Sequence, residues 1–576
     1  QKASAAKKSA APAVKKAVPA KGASAAKKAP ASQKASTAKK SAAPAVKKAV
    51  KANSVKGGAA TAAVAAPPSV ATSAAGNSVT SSSDTNGGRR QRLLQKGRGV
   101  VDVFSGKVST CHVYERDGDV YQCTLNQTHV SANRNKYFIL QLLQDDSGSM
   151  YYLFTRWGRV GYDGQNKTEE FYDDAAARQA FYTKFASKTG NSWSNRANFS
   201  KVAGRYELMD IDYGAQEEEE EEEEKRRRSK GPVQSALPTE LQDLMKLIGS
   251  KSQMTQVMRE LEINMERLPL GKISQAQIKR AYQVLKLIER EMKKARPKLA
   301  ELSSQFYTLI PHAVGVRRPP VINSEELLRQ KMDMLETLGK LEIAVSLLGA
   351  KGSEDLHPND KLYRSLNCEL TPLPRDDPDF RRIEEYARNT HGPSHNFRVE
   401  VTRVFKICRQ GEEERYEAFK KLGNRQMLWH GSRVTNFIGI LSQGLRIAPP
   451  EAPCTGYMFG KGIYLADVCT KSASYCHAAA DTNVGLMLLC EAALGKQSSL
   501  TAAAYMEKPM PGTDATKGVG SYFPDPAGAE VVDGVLWPKG RVKQEAIASS
   551  LIYPEHIIYN VAQCKMSYLV QVKICR

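Results

Sequence analysis

Several common classes of protein are excluded by what this chain lacks. Its 576 residues contain no apolar run near the ~18 to 20 residues of a membrane span, which excludes a helical integral membrane protein. Cysteine is sparse: ten residues stand singly between Cys111 and Cys575, with no CxxC pair. That argues against a zinc finger, a disulfide scaffold and a thioredoxin-like site, and it suits a reducing compartment. A GxGxxG fingerprint, a GxxxxGK[ST] loop and an HExxH helix are also absent. No aromatic residue precedes Phe104. Residues 1–98 therefore cannot bury a core and are expected to be disordered. The first residue is Gln, so the natural start is expected upstream, and an N-terminal targeting signal cannot be read.

What is present is positive charge, unevenly placed. Lys and Arg total 84 against 61 Asp and Glu, a net charge of +23. Residues 1–56 hold fifteen lysines and no acid, which leaves only +8 for the rest of the chain. The segment repeats itself, QKASAAKKSAAPAVKKAV at 1–18 returning at 33–50 with Thr37 in place of Ala5. Doublets such as Lys7-Lys8 and Lys15-Lys16 make a diffuse cation suited to phosphate backbones, and also to a solvating tail or an import address. A second break comes at 216–232, where eight glutamates (217–224) precede Lys225-Arg226-Arg227-Arg228-Ser229-Lys230. This reads as a linker whose basic half is a nuclear import signal or a solvated spacer.

Three folded segments follow the tail. Residues 99–215 read as mainly strand: Tyr137–Leu142 and Tyr151–Phe154 flank an Asp145-Asp146-Ser147-Gly148 turn, predicting a hairpin. Asp173 and Asp174 then open a helix with Phe181 and Phe185 one turn apart. Between them stands Arg156-Trp157-Gly158-Arg159, an indole flanked by guanidinium groups, which predicts a stacking face with fixed cations for exposed bases and phosphates. Residues 233–352 read as a helical bundle. Leu241, Leu244 and Ile248 share a face after Pro238, and Ser274-x-x-Gln277 predicts a capping box. Asn323-x-x-Glu326 repeats that signal before a Leu- and Met-rich run. The stripes predict core, and no chemistry is expected of the bundle. Residues 356–576 are mixed, with Gly485–Leu489, His556–Asn560 and Tyr568–Ile574 as buried strands.

Four polar islands lie in this last segment: Trp429–Arg433, Gly456–Asp467, Lys471–His477 and Tyr553–Tyr559. As bare residues, Tyr464 and Tyr475 read equally as core aromatics, and Glu555 as a surface strand residue. In order and spacing, however, the islands resemble the catalytic domain of the poly(ADP-ribose) polymerases, a diphtheria-toxin-like ADP-ribosyltransferase fold with a His, Tyr, Glu signature. Arg156–Gly161 resembles the WGR domain of the DNA-dependent members. The helical segment, including Leu268–Ser274, resembles their regulatory domain. The fold class is thus multidomain α+β: a disordered basic tail, a small β-rich WGR domain, an all-α bundle and a mixed α+β catalytic domain.

The resemblance implies transfer of ADP-ribose from NAD+, used as substrate and without a metal, to proteins including the chain itself, and histones among them. It assigns the catalytic signature to Glu555, His430 and Tyr464. Tyr464 and Tyr475 would sandwich the nicotinamide ring, while Gly431 and Ser472 bond its amide, with Gly431 small so that the ligand can approach closely. His430, Ser432 and Arg446 would lie along the rest of NAD+, and Met458, Lys471 and Tyr553 toward the acceptor. Asp467 and His477 are expected to cap or pack. Trp157 and Arg159 would contact a DNA strand break, after which the bundle would stop occluding the NAD+ cleft. A nuclear, break-activated polymerase without zinc fingers is the implied activity. Two departures stand out: the family usually flanks its glutamate with Asn and Tyr, and here Pro554 and His556 do so. Pro554 removes a backbone donor and stiffens the approach to Glu555. A mono-ADP-ribosyltransferase, a DNA-end scaffold with weak catalysis and, from the tail alone, a linker-histone-like chromatin protein remain as alternatives.

Overall fold

The structure, a computed structural model, describes residues 99–211, 233–263, 273–349, 356–478 and 483–575. The basic tail, the glutamate and basic runs at 217–230 and the stretch 268–272 lie outside the described residues. Among the described residues no helix is long and apolar enough to cross a membrane.

The first region is a sheet with one helix against it. Strands β1 (Cys111–Val113), β2 (Gln122–His129), β3 (Arg134–Asp145), β4 (Tyr151–Arg159), β5 (Gln165–Phe171) and β6 (Glu207–Leu208) form the order β5-β4-β3-β2-β6, with β1 pairing β3. The predicted hairpin is β3–β4, in register from Gln144↔Tyr151 to Lys136↔Arg159. Its turn is held by the Asp145 carboxylate, which accepts from Ser149 N–H at 2.8 Å and Met150 N–H at 3.0 Å. Helix α1 (Asp174–Thr189) is capped by Asp173 and ends at Gly190 in the left-handed region. It buries Phe181 and Phe185 against Phe138, Leu140 and Leu153 of the sheet.

Helices α2 (Thr239–Ile248), α3 (Lys251–Glu260), α4 (Gln275–Met292), α5 (Leu299–Leu309) and α6 (Glu325–Leu348) form the bundle. Its two start signals need correction. Ser274 caps α4, accepting from Gln277 N–H, but the Gln277 side chain does not reach back. Its oxygen accepts from Asp210 N–H at 2.8 Å and its amide donates to Leu309 O at 2.6 Å, bonds between segments that sequence spacing cannot register. For α6 the cap is Ser324 rather than Asn323, accepting from Leu327 N–H.

The last region begins with α7 (Pro358–Ser365), β7 (Cys368–Leu373), α8 (Pro378–Asn389), β8 (Arg398–Arg409), α9 (Glu412–Lys420), β9 (Arg425–Ser432) and α10 (Phe437–Gln443). It continues through β10 (Ile463–Leu465), α11 (Cys469–Ala473), β11 (Val484–Ala493), β12 (Gln497–Leu500), β13 (Ala515–Gly518), β14 (Glu530–Val532), β15 (Val535–Trp537), β16 (Glu555–Ile558) and β17 (Cys564–Cys575). A seven-stranded sheet runs β14-β15-β9-β11-β17-β8-β7, and a smaller one runs β10-β16-β13-β12. Strand β11 is buried on both faces, which is why it reads as a continuous apolar run. Met487 and Leu489 pack with Phe380 and Tyr386 of α8, whereas Leu486 and Leu488 join α10 and the bundle. The bundle core is therefore continuous with one face of the seven-stranded sheet.

Candidate active site

The four islands converge where the two sheets meet. His430 lies near the end of β9 and donates from Nδ1 to Tyr464 O of β10 at 3.0 Å. In the neutral ring this leaves Nε2 as a free acceptor. Burial pushes the His430 pKa below the usual range, against the Tyr464 carbonyl and the Glu336 carboxylate. Gly431 is required by packing, whatever binds beside its backbone. A Cβ there would stand 1.9 Å from Ser472 O, so the close approach it permits is that of α11 to β9. Ser432 is buried, and its hydroxyl accepts from Asn436 Nδ2 at 3.0 Å.

Tyr464 donates from its hydroxyl to Gly460 O at 2.7 Å and accepts from Phe459 N–H at 3.1 Å, which ties β10 to the loop that precedes it. Gly460 sits at φ +89°, with Met506 O 1.6 Å from where a Cβ would lie, so that loop tolerates no other residue. Tyr475 leaves 56% of its surface exposed, an open aromatic face. Desolvation raises the pKa of both phenols, and the Glu555 carboxylate raises them further.

Glu555 opens β16, paired with β10 through Tyr464↔Ile557 and with β13 through Gly518↔Glu555. Its carboxylate lies 3.0 Å from Lys471 Nζ, which also donates to Tyr553 O at 2.9 Å and Pro554 O at 3.0 Å. Burial lowers the Lys471 pKa and Glu555 opposes that shift. Tyr553 is turned away from the cleft, with 4% of its surface exposed. Its hydroxyl accepts from Ser394 N–H at 2.9 Å and its ring stacks on His395 at 4.9 Å, so it meets Lys471 through its carbonyl alone. Met458 lies in the loop before β10, where its carbonyl accepts from Ala504 N–H at 3.0 Å. Arg446 donates to Gln443 Oε1 at 2.8 Å and makes no hydrogen bond to another predicted site residue among those described. Among the described residues no group of three or more His, Cys, Asp or Glu is arranged to hold a metal ion.

Comparison with known proteins assigns each of the three regions to a family model. Residues 377–574 match the family model of the poly(ADP-ribose) polymerase catalytic domain, 235–363 that of the polymerase regulatory domain, and 121–200 the WGR domain. Poly(ADP-ribose) polymerase 2 of Homo sapiens is 41% identical over 493 residues, covering 84% of each chain. The chain belongs to the poly(ADP-ribose) polymerase family. Polymerase 2 of Arabidopsis thaliana is 43% identical over 83% of this chain and 77% of that protein. Polymerase 1 of Xenopus laevis is 41% identical over 84% of this chain, which spans about half (49%) of that relative's length.

Within this family member the bundle, from which no chemistry was expected, reaches the cleft. Arg329, Asp333, Glu336 and Lys340 recur every three or four residues and share one face of α6. Glu336 and Lys340 act electrostatically on His430, and Asp333 and Arg329 on Tyr475. Asp333 is exposed, yet desolvation together with the neighbouring Glu336 carboxylate pushes it up to about 6. The four-residue polar spacing was the available signal, passed over beside the stronger apolar stripe. Helix α4 grips the loop before β10: Glu289 Oε1 accepts from Cys454 N–H at 2.8 Å, from Thr455 N–H and from Thr455 Oγ1 at 2.8 Å.

The predicted DNA-contact triplet is less open than its sequence suggests. Arg156 is 6% exposed, its Nε 2.8 Å from Asp102 Oδ2, so one of the two expected cations is structural. Trp157 is half-buried and stacked on Phe138 at 6.2 Å. Arg159 donates to Asn133 O and Asn133 Oδ1 at 2.9 Å, to Gly315 O at 2.7 Å and to Arg317 O at 2.8 Å. Its guanidinium thus joins the β2–β3 turn to the segment after α5. Asn126 Nδ2 to Thr308 O (2.9 Å) and Asn135 Nδ2 to His312 O (2.9 Å) extend the same interface.

Proposed function

We propose that the chain is a nuclear, NAD+-dependent poly(ADP-ribose) polymerase switched on by DNA strand breaks, acting on proteins that include histones and itself. The observation that carries this reading is the meeting of the four islands: His430 hydrogen-bonds Tyr464, Tyr464 sits on a strand paired with that of Glu555, and Glu555 pairs with Lys471. The nicotinamide ring stacks between Tyr464 and Tyr475, with its carboxamide on the Gly431 backbone and the Ser472 hydroxyl. The free Nε2 of His430 accepts from an adenosine-ribose hydroxyl, and Ser432 and Arg446 line that half. Breaking the glycosidic bond develops positive charge on the ribose, which the Glu555 carboxylate stabilises while it polarises the incoming hydroxyl. Lys471 holds Glu555 in place. Met458 and the Tyr553 carbonyl border the acceptor side.

Control follows from the same geometry. Residues 99–215 bind the strand break through the Trp157 face, and Arg159 passes the event to the bundle (233–352). The charged face of α6 and the Glu289 contact then leave the cleft of the catalytic region (356–576). DNA need favour the open state by only a few kcal/mol, on the order of ordinary coupling energies. The basic tail adds salt-sensitive affinity. Incubation with labelled NAD+, with and without nicked DNA, tests the reading. Break-dependent ladders of long polymer support it. A single sharp shift assigns mono-transfer, and no nicotinamide release assigns a DNA-end scaffold.

A further inference from the structure

Strand β16 alternates its faces, so His556 points away from the cleft that Glu555 enters. It is 2% exposed, and Asp467, on the segment joining β10 to α11, is 5% exposed. His556 Nε2 lies 3.6 Å from Asp467 Oδ2, and Nδ1 lies 3.2 Å from Gln497 Nε2 of β12. An amide nitrogen only donates, so Nδ1 is the acceptor and the neutral ring carries its proton on Nε2, facing the carboxylate. At that separation the contact falls short of a hydrogen bond. His556 Nε2 and Asp467 Oδ1 are both buried without a hydrogen-bond partner among the described residues. An unpartnered imidazole N–H that faces carboxylate oxygen Oδ2 across a narrow gap, while Oδ1 of the same carboxylate also lacks a partner, is expensive in a protein interior and needs an explanation beyond fold.

Their place in the chain supplies one. Asp467 stands between Tyr464 and Lys471, and His556 directly follows Glu555. Lys471 ties Glu555 to that segment on the cleft side. The His556–Asp467 contact ties the same two segments from behind. Resting on the functional reading above, we propose that His556 and Asp467 are a positioning pair: the proton state of the imidazole sets where β16 holds Glu555 relative to Tyr464 and Lys471. Taking up a proton at Nδ1 makes both ring nitrogens donors. Gln497 must then turn its amide oxygen toward the ring, and the imidazolium is drawn onto Asp467. The charged groups acting on the ring are Asp467 from the β10–α11 segment, Lys517 from β13 and Lys471 from α11, with Glu555 adjacent on its own strand. Burial disfavours the proton and Asp467 favours it, with a net shift below the usual histidine range. The neutral ring is thus the working state near neutral pH, and acidification displaces Glu555.

The test measures kcat and KM for NAD+ on the full chain at saturating nicked DNA, from about pH 5 to about pH 8.5. The wild type is expected to lose kcat on an acid limb below the ordinary histidine range, with KM unchanged. His556→Tyr, which restores the residue usual in the family, removes that limb. Asp467→Asn moves it to lower pH, because the carboxylate that favours the proton is gone. His556→Ala lowers kcat on the order of 10-fold through misplacement of Glu555, and the tyrosine variant recovers most of the loss. An unchanged acid limb in His556→Tyr overturns the proposal, as does a loss carried by KM. A wild type that releases no nicotinamide contradicts the functional reading itself, a different result from turnover with an unaltered limb.

Discussion

Replacing Glu289 by alanine removes the contact through which α4 holds the loop before β10. Its Oε1 accepts from Cys454 N–H, Thr455 N–H and Thr455 Oγ1, and the residue is 6% exposed. Hydrogen bonds to a buried charge contribute about 1.5–3 kcal/mol each, but three on one oxygen are not additive, and water enters once the side chain is gone. A net loss of about 2–3 kcal/mol from the closed state is a reasonable working figure. If the contact exists only while the bundle covers the cleft, that loss shifts the closed-to-open ratio by roughly 30- to 150-fold. NAD+ turnover without DNA should rise by up to that factor, capped at the DNA-activated rate, which itself changes little. Glu289→Gln keeps an acceptor but loses the charge, so a smaller rise is expected. Nicotinamide release with and without nicked DNA reads both numbers. A lowered melting temperature with unchanged DNA-free turnover would show that Glu289 stabilises the fold without restraining the cleft, and would refute the reasoning.

Arg159→Ala should leave affinity for nicked DNA within a few-fold while cutting stimulation roughly 10- to 30-fold, because about 2 kcal/mol of coupling runs through its two acceptors across the interface, Gly315 O and Arg317 O. Weaker DNA binding with full stimulation at saturation would make Arg159 a DNA contact instead. The Asp145 carboxylate is held down to about 2 by the Ser147 hydroxyl and the Met150 and Ser149 amides of its turn. A depressed carboxylate stabilises the fold above its unfolded pKa and loses that contribution as pH falls through about 2. Asp145→Asn is therefore expected to lower the melting temperature at neutral pH and to converge with wild type in strong acid, as thermal scans across pH would register. Each transferred ADP-ribose adds a diphosphate, so self-modification at Lys8-Ser9 or Lys40-Ser41 should erode the tail's charge and release the protein from DNA. Equal affinity of modified and unmodified protein for broken DNA would contradict that.

Short-range chemistry was legible in the sequence. The Asp145–Gly148 turn, the Asp173 cap of α1 and the apolar run of β11 are local signals, and each sits where the spacing put it. Signals completed by distant groups were misread. Gln277 leaves its predicted capping box because Asp210 and Leu309 offer partners from other segments. Arg156 and Arg159 read as paired cations facing outward, yet Asp102 takes one and carbonyls across the domain interface take the other. Gly431 reads as room for a ligand, and its spacing does not disclose a second need for a glycine, that a Cβ there would meet the Ser472 carbonyl. The four islands were visible only as a pattern matching a family. Nothing in their spacing discloses that Lys471 meets Glu555, or that α6 carries its charges over the cleft.

Glu555→Gln offers the most direct test of the central claim. It keeps the shape and removes the charge that is held to stabilise the ribose cation. The measurement is polymer formation from labelled NAD+ with nicked DNA, beside NAD+ affinity and DNA affinity of the same variant. The account predicts loss of long ladders with both affinities retained. Ladders of wild-type length from Glu555→Gln would contradict it.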